Sequence, residues 1–382
     1  MNFKDTINSA CKALKINAVC VIGGSFAKGT NLNDDFDIDF FLKFSKKYKN
    51  EELSDLTEKV LKKSKIKYLR VHGSRDYFHF EKGTKQYEVV PVFNIKKSSE
   101  AVNITDVSPL HVEYIRKKLK NPEEVKLTKK FCKAGRVYGA ESYINGFSGH
   151  VLELLIVYYG TFKNLLRRAS SWNPKVIIDI EKKVNNPLKN LNSSKTLGPL
   201  IILDPVQPVR NAAAALSLEK FNKFKDLART YLKKPSNSFF KIKKLDFTRF
   251  KKNKTALKIV LIPVDSSRDI SGTKAFKALQ FLLRCLEENN FRIVHDWEFD
   301  KKFIIFIAGK LKSDTVIVMG PPLNKNEDCK KFLKKRKKNT YEKSGRLFSK
   351  EKVKFKTLKS CLNFYLKDSY VTSRIKRVES VS

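Results

Sequence analysis

The chain has 382 residues with 41% hydrophobic content, enough for two or three packed domains and too much for general disorder. Lys and Arg number 79 against 39 Asp and Glu, a formal net charge of +40. A field of that sign favours a polyanion, either nucleic acid or an anionic membrane. The membrane finds no support. The most apolar stretch, Val151–Leu166, contains Glu153 and Lys163, and its charge-free centre Leu154–Phe162 is far short of the ~20 residues of a spanning helix. The first 17 residues are charged throughout and lack a signal-type apolar core. The six cysteines form no CxxC pair, which predicts scattered reduced thiols in a cytoplasmic protein, not a zinc site or a disulfide framework.

In chain order, Phe3, Ile7, Ala10, Cys11 and Leu14 predict an amphipathic helix over 3–16. The apolar run Val19–Ile22 reads as a strand ending in Gly23-Gly24-Ser25, a turn whose backbone can approach a phosphate closely. Eleven residues separate Ser25 from Asp37-Ile38-Asp39, inside the apolar run Phe36–Leu42. On a strand these two aspartates share a face. Paired carboxylates repel, so a divalent cation is their natural neighbour. A bare DxD is more often a solvated strand edge, but the Gly-Ser turn at this spacing favours nucleotidyl transfer.

A helix over Glu51–Lys65 follows, then strands over Tyr68–Val71, Tyr77–Phe80 and Tyr87–Phe93. The alternation predicts an α/β or α+β domain ending near residue 112. Glu88, between apolar neighbours, is either an edge residue or a third ligand beside Asp37 and Asp39. Helices are expected over 108–119, Glu123–Ala134 and 151–166, with a glycine-punctuated loop at 135–150. After a polar patch at Asn185–Lys195 come a strand, Leu200–Leu203, and a helix running from Ala212 to about Leu232. The basic connector 241–254 marks a domain boundary. Beyond it, strands at Leu257–Val264, Phe291–Phe299, Phe303–Ala308 and Thr315–Met319 and a helix at Thr273–Glu288 fit a ferredoxin-like or RRM-like order. Pro321-Pro322 is expected to break the chain before a helix at Glu327–Lys335. No RNP1-type aromatic run is present, so RNA contact there would rest on charge and shape.

The stretch GGSFAKGTNLNDDFDIDFFL resembles the nucleotidyltransferase signature. YEVVPVF, SPLH, KLTKKFCKAGRVYGAE, GFSGHVLELLIVYYGTF, DPVQPVRNAAAALS, KPSNSFF and VMGPP follow in order, ending near residue 322. Together these blocks resemble the archaeal (class I) CCA-adding tRNA nucleotidyltransferases. The resemblance implies an α+β chain: a polymerase-β-like catalytic domain over 1–112, a helical domain over 113–245 and a ferredoxin-like, RNA-binding tail over 246–382. It implies template-independent addition of C, C and A to tRNA from CTP and ATP, with two Mg²⁺ held by Asp37, Asp39 and Glu88. Gly24, Ser25, Lys28, His111, Lys129 and Tyr138 would meet the nucleotide, and Arg210 its base. Each has a plainer reading: solvated lysines, a helix-capping His111, a core Tyr138, a surface Arg210. The resembled family normally has Asp where Glu88 stands, which bears on the metal geometry, and its members usually continue into further C-terminal helices, which bears on tail-domain stability or on the grip on the tRNA elbow. A homodimer is compatible with this picture. The rival functions are a poly(A) or oligoadenylate polymerase using ATP alone, and an RNA-binding protein with a relict site.

Overall fold

The computed structural model describes residues 2–32, 37–73, 75–182, 188, 191–243, 245–251, 255–264, 268–336 and 339–381. Phe36, much of the Asn185–Lys195 patch, and Lys252–Lys254 and Lys337–Lys338 of the basic runs lie outside the described residues. The chain divides into two compact units, Met1–Ile242 and Lys243–Ser382.

The first unit opens with helix α1 (Phe3–Ala13), strand β1 (Ala18–Ile22), the single-turn helix α2 (Gly24–Ala27) and strand β2 (Asp37–Phe44). Then come α3 (Leu53–Lys63), β3 (Leu69–Val71), β4 (Tyr77–Lys82) and β5 (Lys85–Phe93). The five strands form one sheet in the order β1-β2-β5-β4-β3, with β2 and β5 parallel and the other pairs antiparallel. Side-chain alternation divides β2 cleanly. Ile38, Phe40, Leu42 and Phe44 pack with Ile7 and Cys11 of α1 and Leu53, Val60 and Leu61 of α3. Phe41 faces the other way, onto Val90, Val92 and Val112. Asp37 and Asp39 have the parity of Phe41, away from the α1–α3 core.

A buried ion pair fixes the end of β5. Asp106, wholly buried, pairs with Arg75 and accepts hydrogen bonds from the backbone N–H groups of Phe93 (2.8 Å), Val102 (3.0 Å) and Asn103 (2.9 Å). Arg75 also donates to the Pro91 carbonyl at 3.1 Å and to Asn50 Oδ1 at 2.7 Å.

The rest of this unit is mainly helical: α4 (Ser108–Lys118), α5 (Pro122–Ala134), α6 (Gly149–Tyr159), α7 (Phe162–Ala169) and α8 (Leu218–Lys233). Two short parallel strands, β6 (Val176–Asp179) and β7 (Leu200–Leu203), complete it. Two expectations need correction. The single helix predicted over 151–166 is two, because Gly160 takes a positive φ of 84° and the Thr161 side chain caps the next helix by accepting from the Asn164 N–H. The predicted start of a helix at Ala212 is a turn; α8 begins at Leu218, capped by Ser217 accepting from the Lys220 N–H.

The second unit begins with the short α9 (Thr248–Lys251) and β8 (Leu257–Pro263), α10 (Arg268–Glu288), β9 (Phe291–Phe299) and β10 (Phe303–Leu311). Next are β11 (Thr315–Pro322), α11 (Asn326–Lys335), β12 (Thr340–Lys343) and β13 (Arg346–Lys352), then α12 (Leu358–Tyr365), α13 (Ser369–Thr372) and β14 (Ile375–Val381). The sheet order β14-β8-β10-β9, all antiparallel, with α10 and α12 as crossovers, is the split βαββαβ arrangement. Phe291, Phe303, Ile305 and Ile307 pack against Leu279 and Leu282 of α10 and Leu358 and Leu362 of α12. A separate sheet, β11-β13-β12, interrupts the pattern between β10 and α12. Pro321 and Pro322 are the last two residues of β11, reached after a register shift between Met319 and Pro322, and the chain leaves the strand there before α11, as expected.

Candidate active site

In the parallel β2–β5 ladder, Asp39 stands opposite Glu88, so their side chains are neighbours on one face. Above them is the β1–α2 turn, tied to β2 by the Gly23 N–H donating to the Asp39 carbonyl at 2.7 Å. Gly24 takes a φ of +57°, and a Cβ there would fall 1.4 Å from Asp39 Oδ2. Only glycine gives both that backbone conformation and that space.

Burial, then the charges of its neighbours, governs these carboxyls. Asp39 is pushed up to about 6 by burial and by Asp37, with Lys28 opposing. Glu88 is pushed up to about 8, again by burial first and then by Asp39 and Asp37. His79 Nε2 lies 3.5 Å from Glu88, but burial lowers the pKa of that imidazole, so it is a poor counter-charge. The group is a set of hard oxygen donors crowded together against their own repulsion, which suits a divalent cation of the Mg²⁺ type.

A second group of charges lies beside it. Lys28 Nζ is 2.6 Å from Glu153 Oε2, and the Thr30 hydroxyl donates to Glu153 Oε1 at 2.6 Å. Lys129 donates to the Thr30 carbonyl at 2.8 Å and is 3.7 Å from Glu153. Lys129 and Tyr138 flank Gly149, where a Cβ would sit 3.1 Å from the tyrosine oxygen and 3.6 Å from the ammonium. Burial lowers the Lys129 pKa to about 8, against the raising pull of Glu153. Glu153 is held well below the usual carboxylate range: burial opposes this, but Lys28, His150 and Lys129 outweigh it.

His150 links this group to a third. Its imidazole lies 3.6 Å from Glu153 and 3.9 Å from Asp204, and 4.5 Å from the His111 ring. His111 Nε2 is 2.8 Å from Asp204 Oδ2, and Arg210 Nη1 donates to the same oxygen at 3.1 Å. Asp204 also accepts from the Val206 and Gln207 N–H groups. Its pKa falls to about 2, because the His111 bond and the surrounding positive groups overcome burial.

Among the described residues, His111, His150 and Asp204 are the one set of three metal-capable side chains whose atoms meet within 4.8 Å. Arg210 already sets a positive charge against that carboxylate.

The residues singled out in the sequence thus converge. Asp39 and Glu88 meet across the ladder, Gly24 lies on Asp39, Lys28 joins Lys129 through Glu153, and His111 joins Arg210 through Asp204. The partners Thr30, His150, Glu153 and Asp204 were not foreseen. Glu153 offered a signal, a lone charge in an otherwise apolar helix; Thr30 and His150 offered none.

Two family models match within the first unit. Residues 4–130 match the family model of a nucleotidyltransferase domain, and residues 123–241 that of the second domain of tRNA nucleotidyltransferases. The CCA-adding enzyme of Nanoarchaeum equitans is 38% identical over 335 residues, covering 86% of this chain and 82% of that protein. The CCA-adding enzyme of Sulfurisphaera tokodaii is 32% identical over 91% of this chain and 84% of that protein. Among solved structures, the Cid1 poly(U) polymerase bound to MgATP aligns with a TM-score of 0.49 at 14% identity, over 63% of this chain and 91% of that one. Among the described residues, no helix is long and apolar enough to cross a membrane.

Proposed function

The chain belongs to the CCA-adding enzymes, which are nucleotidyltransferases, and on that premise we propose that it restores the 3′-terminal CCA of tRNA from CTP and ATP. The observation that carries this reading is the Asp39–Glu88 pair across the ladder, set against the side-chain-free Gly24, with the charge of Lys28 acting on Asp39. Asp37, Asp39 and Glu88 would hold two Mg²⁺ ions. Such ions acidify the RNA 3′-hydroxyl and neutralise the leaving pyrophosphate when bound.

The chain's own groups do the rest. The turn at Gly24-Ser25 presents backbone N–H groups and a hydroxyl to the phosphates. Lys28 and Lys129 supply ammoniums for the phosphate charge, and Tyr138 and His111 supply donors to the nucleotide. Arg210, anchored on Asp204 yet 38% exposed at its side chain, offers a planar fork to the edges of C and A. In this reading residues 1–112 carry the chemistry, 113–245 complete the nucleotide pocket, and 246–382 grip the tRNA through basic runs such as 330–338.

The test is incubation of the full chain with Mg²⁺ and a tRNA lacking its 3′ end, following pyrophosphate and product length. Two C residues followed by one A, with addition then stopping, is the expected result. A lengthening A tail without CTP use would replace this reading with a poly(A) polymerase. Tight tRNA binding with no pyrophosphate released would leave an RNA-binding protein.

A further inference from the structure

Glu153 is 1% exposed on an apolar helix, and its carboxylate is ionised. Burying such a charge is costly unless close partners repay it. Asp106, which ties down the end of β5, is satisfied by three backbone N–H groups besides Arg75. Glu153 differs: among the described residues its close partners are all side chains, Lys28, Thr30, Lys129 and His150. Lys28 and Thr30 belong to the turn after β1, Lys129 to α5, and Glu153 itself to α6. One carboxylate thus ties the turn of the sheet to two helices more than ninety residues away in sequence.

We propose that Glu153 is a positioning residue, which holds the ammoniums of Lys28 and Lys129 side by side so that an entering triphosphate meets a cationic pair already assembled. This rests on the reading of those lysines as phosphate contacts. Without the carboxylate the two ammoniums repel, and each long side chain is free to leave for solvent. Thr30 completes the clamp: its hydroxyl donates to Glu153, and its carbonyl accepts from Lys129. The triphosphate then meets groups whose freedom has already been lost, which is how preorganisation raises affinity.

The experiment compares Glu153→Gln and Glu153→Asp in the full chain with wild type. Glutamine keeps the size and the Thr30 acceptor but not the charge; aspartate keeps the charge on a shorter arm. Expected for glutamine is a KM for CTP and ATP raised at least tenfold, with kcat less affected and tRNA affinity unchanged. Inorganic tripolyphosphate, measured by binding alone, should weaken by a similar factor, and aspartate should recover part of both losses. An unchanged KM and tripolyphosphate affinity with a lowered melting temperature would overturn the proposal in favour of a purely structural ion pair. Tighter tripolyphosphate binding by the glutamine variant would overturn it too, by showing that the carboxylate only competes with phosphate. Should the glutamine variant not fold, aspartate decides: a raised KM supports the proposal and an unchanged one ends it. The tripolyphosphate arm needs no nucleotide transfer, so a wild-type protein that adds no CCA would sink the proposed function without blurring this result.

Discussion

Asp39 and Glu88 lie on one sheet face with no ion pair to a lysine or arginine among the described residues, and both pKa values are raised, to about 6 and about 8. Glu153, Asp204 and Asp106 of the same unit are more deeply buried still, yet each pairs with a lysine or arginine, and the first two have their pKa values lowered. Burial alone would push all of them upward. The difference lies in what faces them. The paired set has its counter-charge in the chain, which keeps each of these carboxylates and its partner in a fixed place. The crowded set leaves that counter-charge to be supplied from outside, which is where binding and chemistry belong.

The sharpest way to break this comparison is to remove a member of the crowded set. Asp39→Ala or Asp37→Ala should lower nucleotide addition by at least about a thousandfold, a loss of roughly 4 kcal/mol in transition-state stabilisation. Melting temperature and tRNA affinity should hold or rise, since a repelling charge is gone. Glu88→Ala should match these losses, while Glu88→Asp, the residue usual in the family, should retain substantial activity. If Glu88→Ala adds nucleotides near the wild-type rate, Glu88 is an edge residue and the crowded set is only a pair.

Removing Asp106, the member of the paired set that touches none of the nucleotide-site groups, should do the reverse. Asp106→Ala strands Arg75 and three backbone donors, so denaturant unfolding should register about 3–5 kcal/mol of lost stability. Catalysis per folded molecule should change little by comparison, as Asp106 ties down the end of β5 and not its Glu88 position.

Arg210 tests whether a paired residue also reads the substrate. Arg210→Ala should reduce the preference for CTP and ATP over UTP and GTP, each lost base-edge contact costing roughly 1–3 kcal/mol. Competition assays with all four nucleotides check this; a uniform loss would place the guanidinium on phosphate or on Asp204 alone.

The smallest effect concerns Lys129, whose pKa burial lowers from the ordinary 10.5 to about 8. As pH rises through about 8 the folded protein loses this ammonium while the unfolded chain keeps it until about 10.5. The KM for CTP should therefore climb several-fold above pH 8. Over the same window Lys129 makes stability rise with pH, because the folded state binds fewer protons. A KM that stays flat to pH 9 would show that Lys129 does not meet the nucleotide as a cation.

The crowded set was legible in the sequence because each member carries a local signal. Asp37 and Asp39 alternate with apolar residues at period two, and the Gly23-Gly24-Ser25 turn is written beside them. The paired set was opaque for a physical reason. Lys28 and Glu153 are 125 residues apart, and His111 and Asp204 are 93 apart, so no local pattern announces either contact. Gly160-Thr161 did announce the break between α6 and α7, but the continuous apolar run around it concealed the punctuation. In the second unit the βαββ order could be read, whereas the inserted sheet hid the closing α12 and β14. β12, Thr340–Lys343, is short, polar and lysine-bearing, which is how exposed strands avoid stray pairing and also why they read as loop.

The β8–β14 pairing has a consequence for synthesis. Pro263 of β8 meets Ile375 of β14, 112 positions later, while its other edge finds β10 some forty residues on. The first unit can therefore settle during translation, but the second keeps one edge of β8 open until the ribosome has made everything in between. An apolar edge exposed for that long invites pairing with a neighbouring nascent chain. Messages that stall between β10 and β14 should thus yield a product with a sound first unit and an adhesive second one, a natural target for chaperones and proteases.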